Sequence, residues 1–246
     1  MKKLIVILSV VLLSFQNEIK RPIHIFMIGD STMANKSERA MPETGWGQVL
    51  HYYFNDSVVV DNHAVNGRSS KSFIDQGRWD RVIEQVQPGD YVIIQFGHND
   101  EKPDEKRHTD PYTTFVDNLK RFINETKEKQ GIPVLCTSIV RRHFNDKGKL
   151  IDTHGEYIEA TRLVAKETGV YFIDMEAETK KVVEKYGPEK SKELFMFIPS
   201  GVYPNRNKGV ADSTHLTQMG AFTFASLAIN GMVEQKIPVI RYLNIN

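Results

Sequence analysis

The chain has 246 residues, 40% hydrophobic and 26% charged, as in a soluble globular protein long enough to bury a core without disulfide or metal staples. Its 32 Lys+Arg against 31 Asp+Glu leave a net charge of +1, which excludes the basic footprint of a nucleic-acid binder. A lone cysteine, Cys136, excludes an intrachain disulfide; it lies in the apolar run "IPVLCTS" and reads as a buried structural thiol.

The first residues read as a secretory signal over 1–16: a basic "MKK", then the 12-residue apolar run "LIVILSVVLLSF". That run has the length of a signal core and is short for a membrane span. No clean small-x-small cleavage site follows, so the cut is open and an uncleaved anchor is the alternative. The expected location is secreted or periplasmic, with no membrane partner for the mature domain unless the signal stays uncleaved.

From 22 to 246 one domain is expected. "IHIFMI" (23–28) reads as a strand, "GWGQVLHYYF" (45–54) as a helix, and "SVVVDNHA" (57–64) as a second strand in its β-branched start. "GRWDRVIEQV" (77–86) puts Trp79, Val82, Ile83 and Val86 on one helix face. "YVIIQF" (91–96) is a third strand. Phe115, Leu119, Phe122 and Ile123 repeat the helical spacing within 113–131, which stops at a glycine. "IPVLCTS" (132–138) and "VYFID" (170–174) are strands, and 154–169, 175–187 and 215–235 are helices. Strands alternating with helices of ten or more residues imply βαβ units and a parallel sheet. Nearly continuous apolar strands imply a sheet covered on both faces, a three-layer α/β/α domain.

In such sheets ligands bind beyond the carboxyl ends of the strands. There the chain carries Gly29-Asp30-Ser31, Asn66-Gly67-Arg68 and Gly97-His98-Asn99-Asp100, and Asp212-Ser-Thr-His215 precedes the last helix. Each alone has a plain reading as a turn, or for Asp212 as a helix cap. Together they supply what serine chemistry needs. Ser31 is the candidate nucleophile and His215 its base. Asp212, three residues away at an expected helix start, would hold the imidazole tautomer. The backbone N–H groups of Ser31 and Gly67 and the side-chain amide of Asn99 are candidate oxyanion donors.

These blocks carry a resemblance. "GDST" (29–32), Gly67, "GHND" (97–100) and "DSTH" (212–215) resemble, in order, the four blocks of the SGNH (GDSL-like) hydrolase superfamily. "GWGQVL", "NHAVNGRSSKSFIDQGRW" and "DSTHLTQMGA" are similar to rhamnogalacturonan acetylesterases of bacteria and fungi, a likeness that runs over 24–235. The resemblance implies a flavodoxin-like five-stranded sheet of order 2-1-3-4-5, a Ser31, Asp212, His215 triad, and an oxyanion hole of Ser31, Gly67 and Asn99. It implies no cofactor or metal, and an acetylated plant polysaccharide as partner, rhamnogalacturonan first. Acetyl-xylan, another carbohydrate ester, and a lipid or thioester are the alternatives; a carbohydrate-binding protein without chemistry is a further one.

Other motifs fail. Met33 stands where a G-x-S-x-G elbow needs its second glycine, and no P-loop or H-E-x-x-H is present. Asp30 and Asp100 lack the Cys/His company of a metal site. For a galacturonate-bearing substrate, Arg68, Lys71, Arg141 and Arg142 follow expected strand ends and are candidate carboxylate ligands, against a plain reading as solvated charge. Trp46 and Trp79 are candidate sugar platforms, with core packing the stronger reading for Trp79.

Overall fold

The computed structural model describes residues 21–244, so the expected signal over 1–16 lies outside the described residues. Strands β1 (Ile23–Gly29), β2 (Val58–Asn62), β3 (Tyr91–Gln95), β4 (Ile132–Cys136) and β5 (Tyr171–Ile173) form one sheet in the order β2-β1-β3-β4-β5. Every pairing in it is parallel, as the alternation of strands and helices requires.

Alternate residues of each strand face opposite layers. On one side Ile25, Met27, Ile93, Val134 and Cys136 pack with Trp46, Leu50 and the apolar face of a C-terminal helix. On the other, Phe26, Ile28, Val92, Ile94 and Leu135 meet Phe73, Trp79, Phe115, Leu119 and Phe122. Both tryptophans are fully buried. They are core residues, which corrects the expectation of Trp46 as a sugar platform.

Helices fall near their expected places: α2 (Arg78–Ile83), α3 (Thr114–Glu128), α4 (Glu156–Thr168), α5 (Met175–Lys190) and α6 (Gln218–Glu234). Two differences matter. The expected helix at 45–54 is a 3-10 helix, Trp46–Tyr53. An unexpected helix, α1 (Ser70–Asp75), starts from a capping box in which the side chains of Ser69 and Ser72 each accept from the other's backbone N–H.

The largest departure is a second sheet. Strands β6 (Phe195–Ile198) and β7 (Val210–Leu216) form an antiparallel pair, and β7 holds both Asp212 and His215. The expected helix start is therefore a strand, and α6 begins only at Gln218. Residue Phe195 pairs with Leu216 and Phe197 with Ala211, so two steps along β6 are matched by five along β7. The four residues Asp212–His215 thus lie opposite the single residue Met196, a surplus of three that bulges from the ladder.

The hairpin is anchored where α6 begins. The carbonyl of Leu194 accepts from Thr217 N at 3.1 Å, and the Thr217 hydroxyl accepts from Gly220 N at 3.2 Å. A Cβ on Gly220 would stand 1.9 Å from that same Leu194 carbonyl oxygen, so only glycine lets the helix approach. Gly220→Ala is expected to cost about 2–3 kcal/mol through overpacking, read by urea denaturation. Unchanged stability would show that the contact relaxes freely.

Candidate active site

Strand β1 ends at Gly29, beside β3. Gly29 is the last strand residue; a side chain there would press on the Gln95 carbonyl, 2.7 Å from the added Cβ. The chain then turns tightly at Asp30, whose carbonyl accepts from Met33 N and Ala34 N. Ser31 sits on this turn, partly exposed, between two fully buried neighbours, Asp30 and Thr32.

Beneath the turn runs a buried polar chain. Asp30 Oδ1 accepts from Thr32 N at 2.9 Å and Thr32 Oγ1 at 2.8 Å. Thr32 Oγ1 accepts from Gln95 Nε2 at 2.9 Å, and Gln95 Oε1 accepts from Trp46 Nε1 at 2.9 Å. Burial would raise the Asp30 carboxyl, but the facing His98 ring and the Thr32 donors outweigh it and hold it below its usual value. The signal for this chain was Gln95, an amide in the otherwise apolar run "YVIIQF".

The bulge in β7 supplies the partners of Ser31. Asp212 Oδ1 accepts from Thr214 N at 2.7 Å and His215 N at 3.1 Å, a side-chain-closed turn that brings residues three apart in a strand onto one side. The second oxygen, Oδ2, lies 2.7 Å from His215 Nδ1, and His215 Nε2 lies 2.9 Å from Ser31 Oγ. Half-burial would raise the Asp212 carboxyl; the His215 ring and the two backbone donors reverse that and hold it well below the usual carboxylate range. It is an anion fixed against Nδ1, which leaves Nε2 to face the serine.

The three candidate oxyanion donors belong to the turn after β1 and the loops after β2 and β3. Because β1 lies between β2 and β3, the loops after those strands flank it. Gly67 follows β2 with φ +72°, a left-handed conformation that favours glycine. Among the described residues, the backbone N–H groups of Ser31 and Gly67 donate to no protein acceptor. Asn99 follows β3. Its Nδ2 donates one proton to Arg68 O at 3.1 Å, which keeps it beside the Gly67 loop and leaves the other proton unused.

Two residues that support this rim were not anticipated. Asp100 is fully buried and accepts from Ser70 N, Ser70 Oγ, Thr109 Oγ1 and Gly97 N, so it ties the loop after β3 to the start of α1. Burial pushes its carboxyl up to about 7, against the lowering from the Ser70 and Thr109 bonds. Arg107 pairs with Asp104 and points Nη1 at Asn99 Oδ1, 3.4 Å away. No local pattern in the sequence joins residues 70, 100 and 109.

The candidate carboxylate ligands separate. Arg68 lies on the rim, and among the described residues its guanidinium is engaged only by Asn66 O and Gln76 Oε1. Lys71 is partly exposed and pairs with Asp75 one turn on. Arg141 is a correction: its side chain is 10% exposed, ion-paired to Glu101 at 2.5 Å and bonded to His98 O and Thr153. Arg142 is likewise committed, bonding Ser191 and Pro188 O and stacking on Phe197. The apolar strand β4 carries both arginines into the packed loops beyond its end.

A parallel 2-1-3-4-5 sheet with a serine, histidine and carboxylate in hydrogen-bonded series at its carboxyl rim is the architecture of a serine-type hydrolase. The chain belongs to the GDSL-like Lipase/Acylhydrolase family, whose model matches residues 27–219, and it is a carboxylic ester hydrolase of the SGNH type. It is 42% identical to the rhamnogalacturonan acetylesterase RhgT of Bacillus subtilis, over 91% of this chain and 95% of the relative. It is 26% identical to the rhamnogalacturonan acetylesterase of Emericella nidulans, over 85% of this chain and 84% of that one. Among solved structures, protein YxiM of B. subtilis superposes with a TM-score of 0.76 at 26% identity, over 88% of this chain and 57% of that one. A mutant of an acetyl-xylooligosaccharide esterase from Geobacillus stearothermophilus shares the fold, with TM-score 0.60 and 20% identity over 86% and 94% of the two chains.

The bonds to Asp212 set a pH dependence. A carboxyl whose folded pKa is depressed contributes stability that is present above the unfolded value, about 3.9, and is lost as pH falls through the folded one. Asp212→Asn keeps the Oδ1 acceptor and loses the charge. Wild type is therefore expected to be more stable than Asp212→Asn at pH 7, with the gap closing as pH falls below roughly 4, measured by urea unfolding across that range. A gap that stays constant would mean that the carboxylate is not charged against His215.

Proposed function

We propose that the protein is a secreted acetylesterase acting on an acetylated plant polysaccharide, rhamnogalacturonan first, through an acyl-enzyme on Ser31. The observation that carries the chemistry is the 2.9 Å contact between His215 Nε2 and Ser31 Oγ, with Asp212 on the far side of the ring. His215 takes the hydroxyl proton as Ser31 Oγ bonds to the acetyl carbonyl carbon. Charge that develops on the carbonyl oxygen is received by the N–H groups of Ser31 and Gly67 and by the free proton of Asn99 Nδ2. As the C–O bond to the sugar breaks, His215 returns the proton to the departing hydroxyl. Water then gives its proton to His215 and attacks acetyl-Ser31, and the imidazolium reprotonates Ser31 as acetate leaves.

Export is supported by the basic start and apolar run at residues 1–16. The pectic substrate is supported by the rhamnogalacturonan acetylesterases among the relatives and by positive charge beside the hole. Arg68 and Arg78 share one acceptor, Gln76 Oε1, at 3.0 and 2.9 Å. Burial and crowding by Arg68 and Arg81 lower the Arg78 guanidinium, so an added carboxylate from a uronate would relieve that repulsion.

Ser31→Ala is expected to lower acetate release by about three to six orders of magnitude; wild-type turnover in that variant would remove the mechanism. In a panel of rhamnogalacturonan, acetylated xylan and a lipid ester, rhamnogalacturonan is expected to be cleaved fastest, and equal rates would count against the pectic substrate. Arg68→Ala is expected to raise KM for the acidic polymer by about tenfold while leaving p-nitrophenyl acetate within about twofold. Equal effects on both would assign Arg68 to the fold.

A further inference from the structure

Four buried polar side-chain atoms without a hydrogen-bond partner gather in one place behind Ser31: Asp30 Oδ2, His98 Nδ1, His98 Nε2 and His154 Nε2. Unpartnered buried polar groups are rare and costly. Here they lie between the two turns that carry the nucleophile and the side-chain oxyanion donor. Asp30 immediately precedes Ser31, and His98 immediately precedes Asn99.

The two residues face each other. His98 Nδ1 stands 3.3 Å from Asp30 Oδ2, with the side chains 3% and 0% exposed. That separation puts a ring nitrogen and a carboxylate oxygen in polar contact at a place that solvent does not reach. The other groups around the ring hold it in place. His154, from the loop before α4, packs edge-on at 4.4 Å between centroids. Burial, with His98 and Arg141 nearby, lowers His154 well below its usual value, so it adds no positive charge. Arg141, beyond β4, binds the His98 carbonyl at 3.2 Å and Glu101 at 2.5 Å. The loop after β3 is thus pinned by Arg141 on one side and by Asp100 through Ser70 on another, and His98 meets the nucleophile turn at Asp30.

We propose that His98 is a positioning residue: its contact with Asp30 clamps the turn bearing Ser31 to the turn bearing Asn99 and so sets the nucleophile against the side-chain oxyanion donor. The proposal rests on the reading of Ser31 and Asn99 given above. It assigns His98 no contact with substrate. Its effect belongs to the transition state, where the Asn99 amide meets charge that the bound ester does not carry.

Two substitutions separate charge contact from shape. His98→Phe keeps a ring against His154 and removes the donor. His98→Asn places an amide nitrogen near Nδ1 and removes the ring. On p-nitrophenyl acetate, His98→Phe is expected to lower kcat by about 10- to 100-fold with KM within about threefold, and His98→Asn to recover most of that loss. In an Asn99→Ala background, His98→Phe should cost less than about threefold, because a residue that acts through Asn99 has nothing left to position. The proposal is overturned by full kcat in His98→Phe, by the same loss with and without Asn99, or by activities that follow Tm rather than the donor. Failure of His98→Asn to fold also overturns it, since the contact would then serve folding alone. Failure of the site reading looks different: Ser31→Ala would keep its activity, whereas failure of this proposal leaves Ser31→Ala inactive.

Discussion

Everything about the site depends on one hydrogen bond reaching across two sheets. His215 is on β7 of the small antiparallel pair and Ser31 on the turn after β1 of the parallel sheet, 184 residues apart in sequence. A serine–histidine bond contributes about 1 kcal/mol net, far too little to bring two sheets together. Packing has to do so first. Gly220 lets α6 touch the carbonyl of Leu194, Thr217 closes the joint, and α6 buries Phe224, Ala225 and Ala228 in the core. The hydrogen bond then forms between groups already in place, which is what catalytic preorganisation requires.

The same logic explains why so much polarity lies under Ser31. Asp30, Thr32, Gln95 and Trp46 form a chain in which every link but one side of Asp30 is satisfied. A core of hydrocarbon could pack there at lower cost, but apolar contacts do not set the orientation of a tight turn. Directional bonds from β3 and the Trp46 helix do, and they leave Ser31 as the partly exposed residue of its turn.

Much of this was legible in the sequence, for reasons that individual elements show. Nearly continuous apolar runs in "IHIFMI" and "YVIIQF" marked the strands because each lies between two covered layers. Three of the polar blocks marked the rim because the carboxyl ends of the strands in a parallel sheet share one edge, and the fourth reaches it from β7. Strands β6 and β7 were not legible: four residues of "FMFI" lack the length for a pattern, and a bulge that sets four residues against one erases alternation. Asp-x-x-His suits a helix start and a bulged strand equally, so spacing identified the pair and misplaced it. Arg141 and Arg142 misled because a charge just after an apolar strand reads as free to meet a ligand at the rim, whereas Glu101, Ser191 and Pro188, distant in sequence, draw both away from it.

The central claim is that Ser31 is activated by His215. The most direct measurement is the rate and position of covalent labelling by a serine-directed phosphonate, followed by intact mass and peptide mapping in wild type and in His215→Ala. The account predicts a single adduct on Ser31 in wild type and a rate at least about 100-fold lower in His215→Ala. An adduct on another residue, or equal labelling rates in the two proteins, would contradict it.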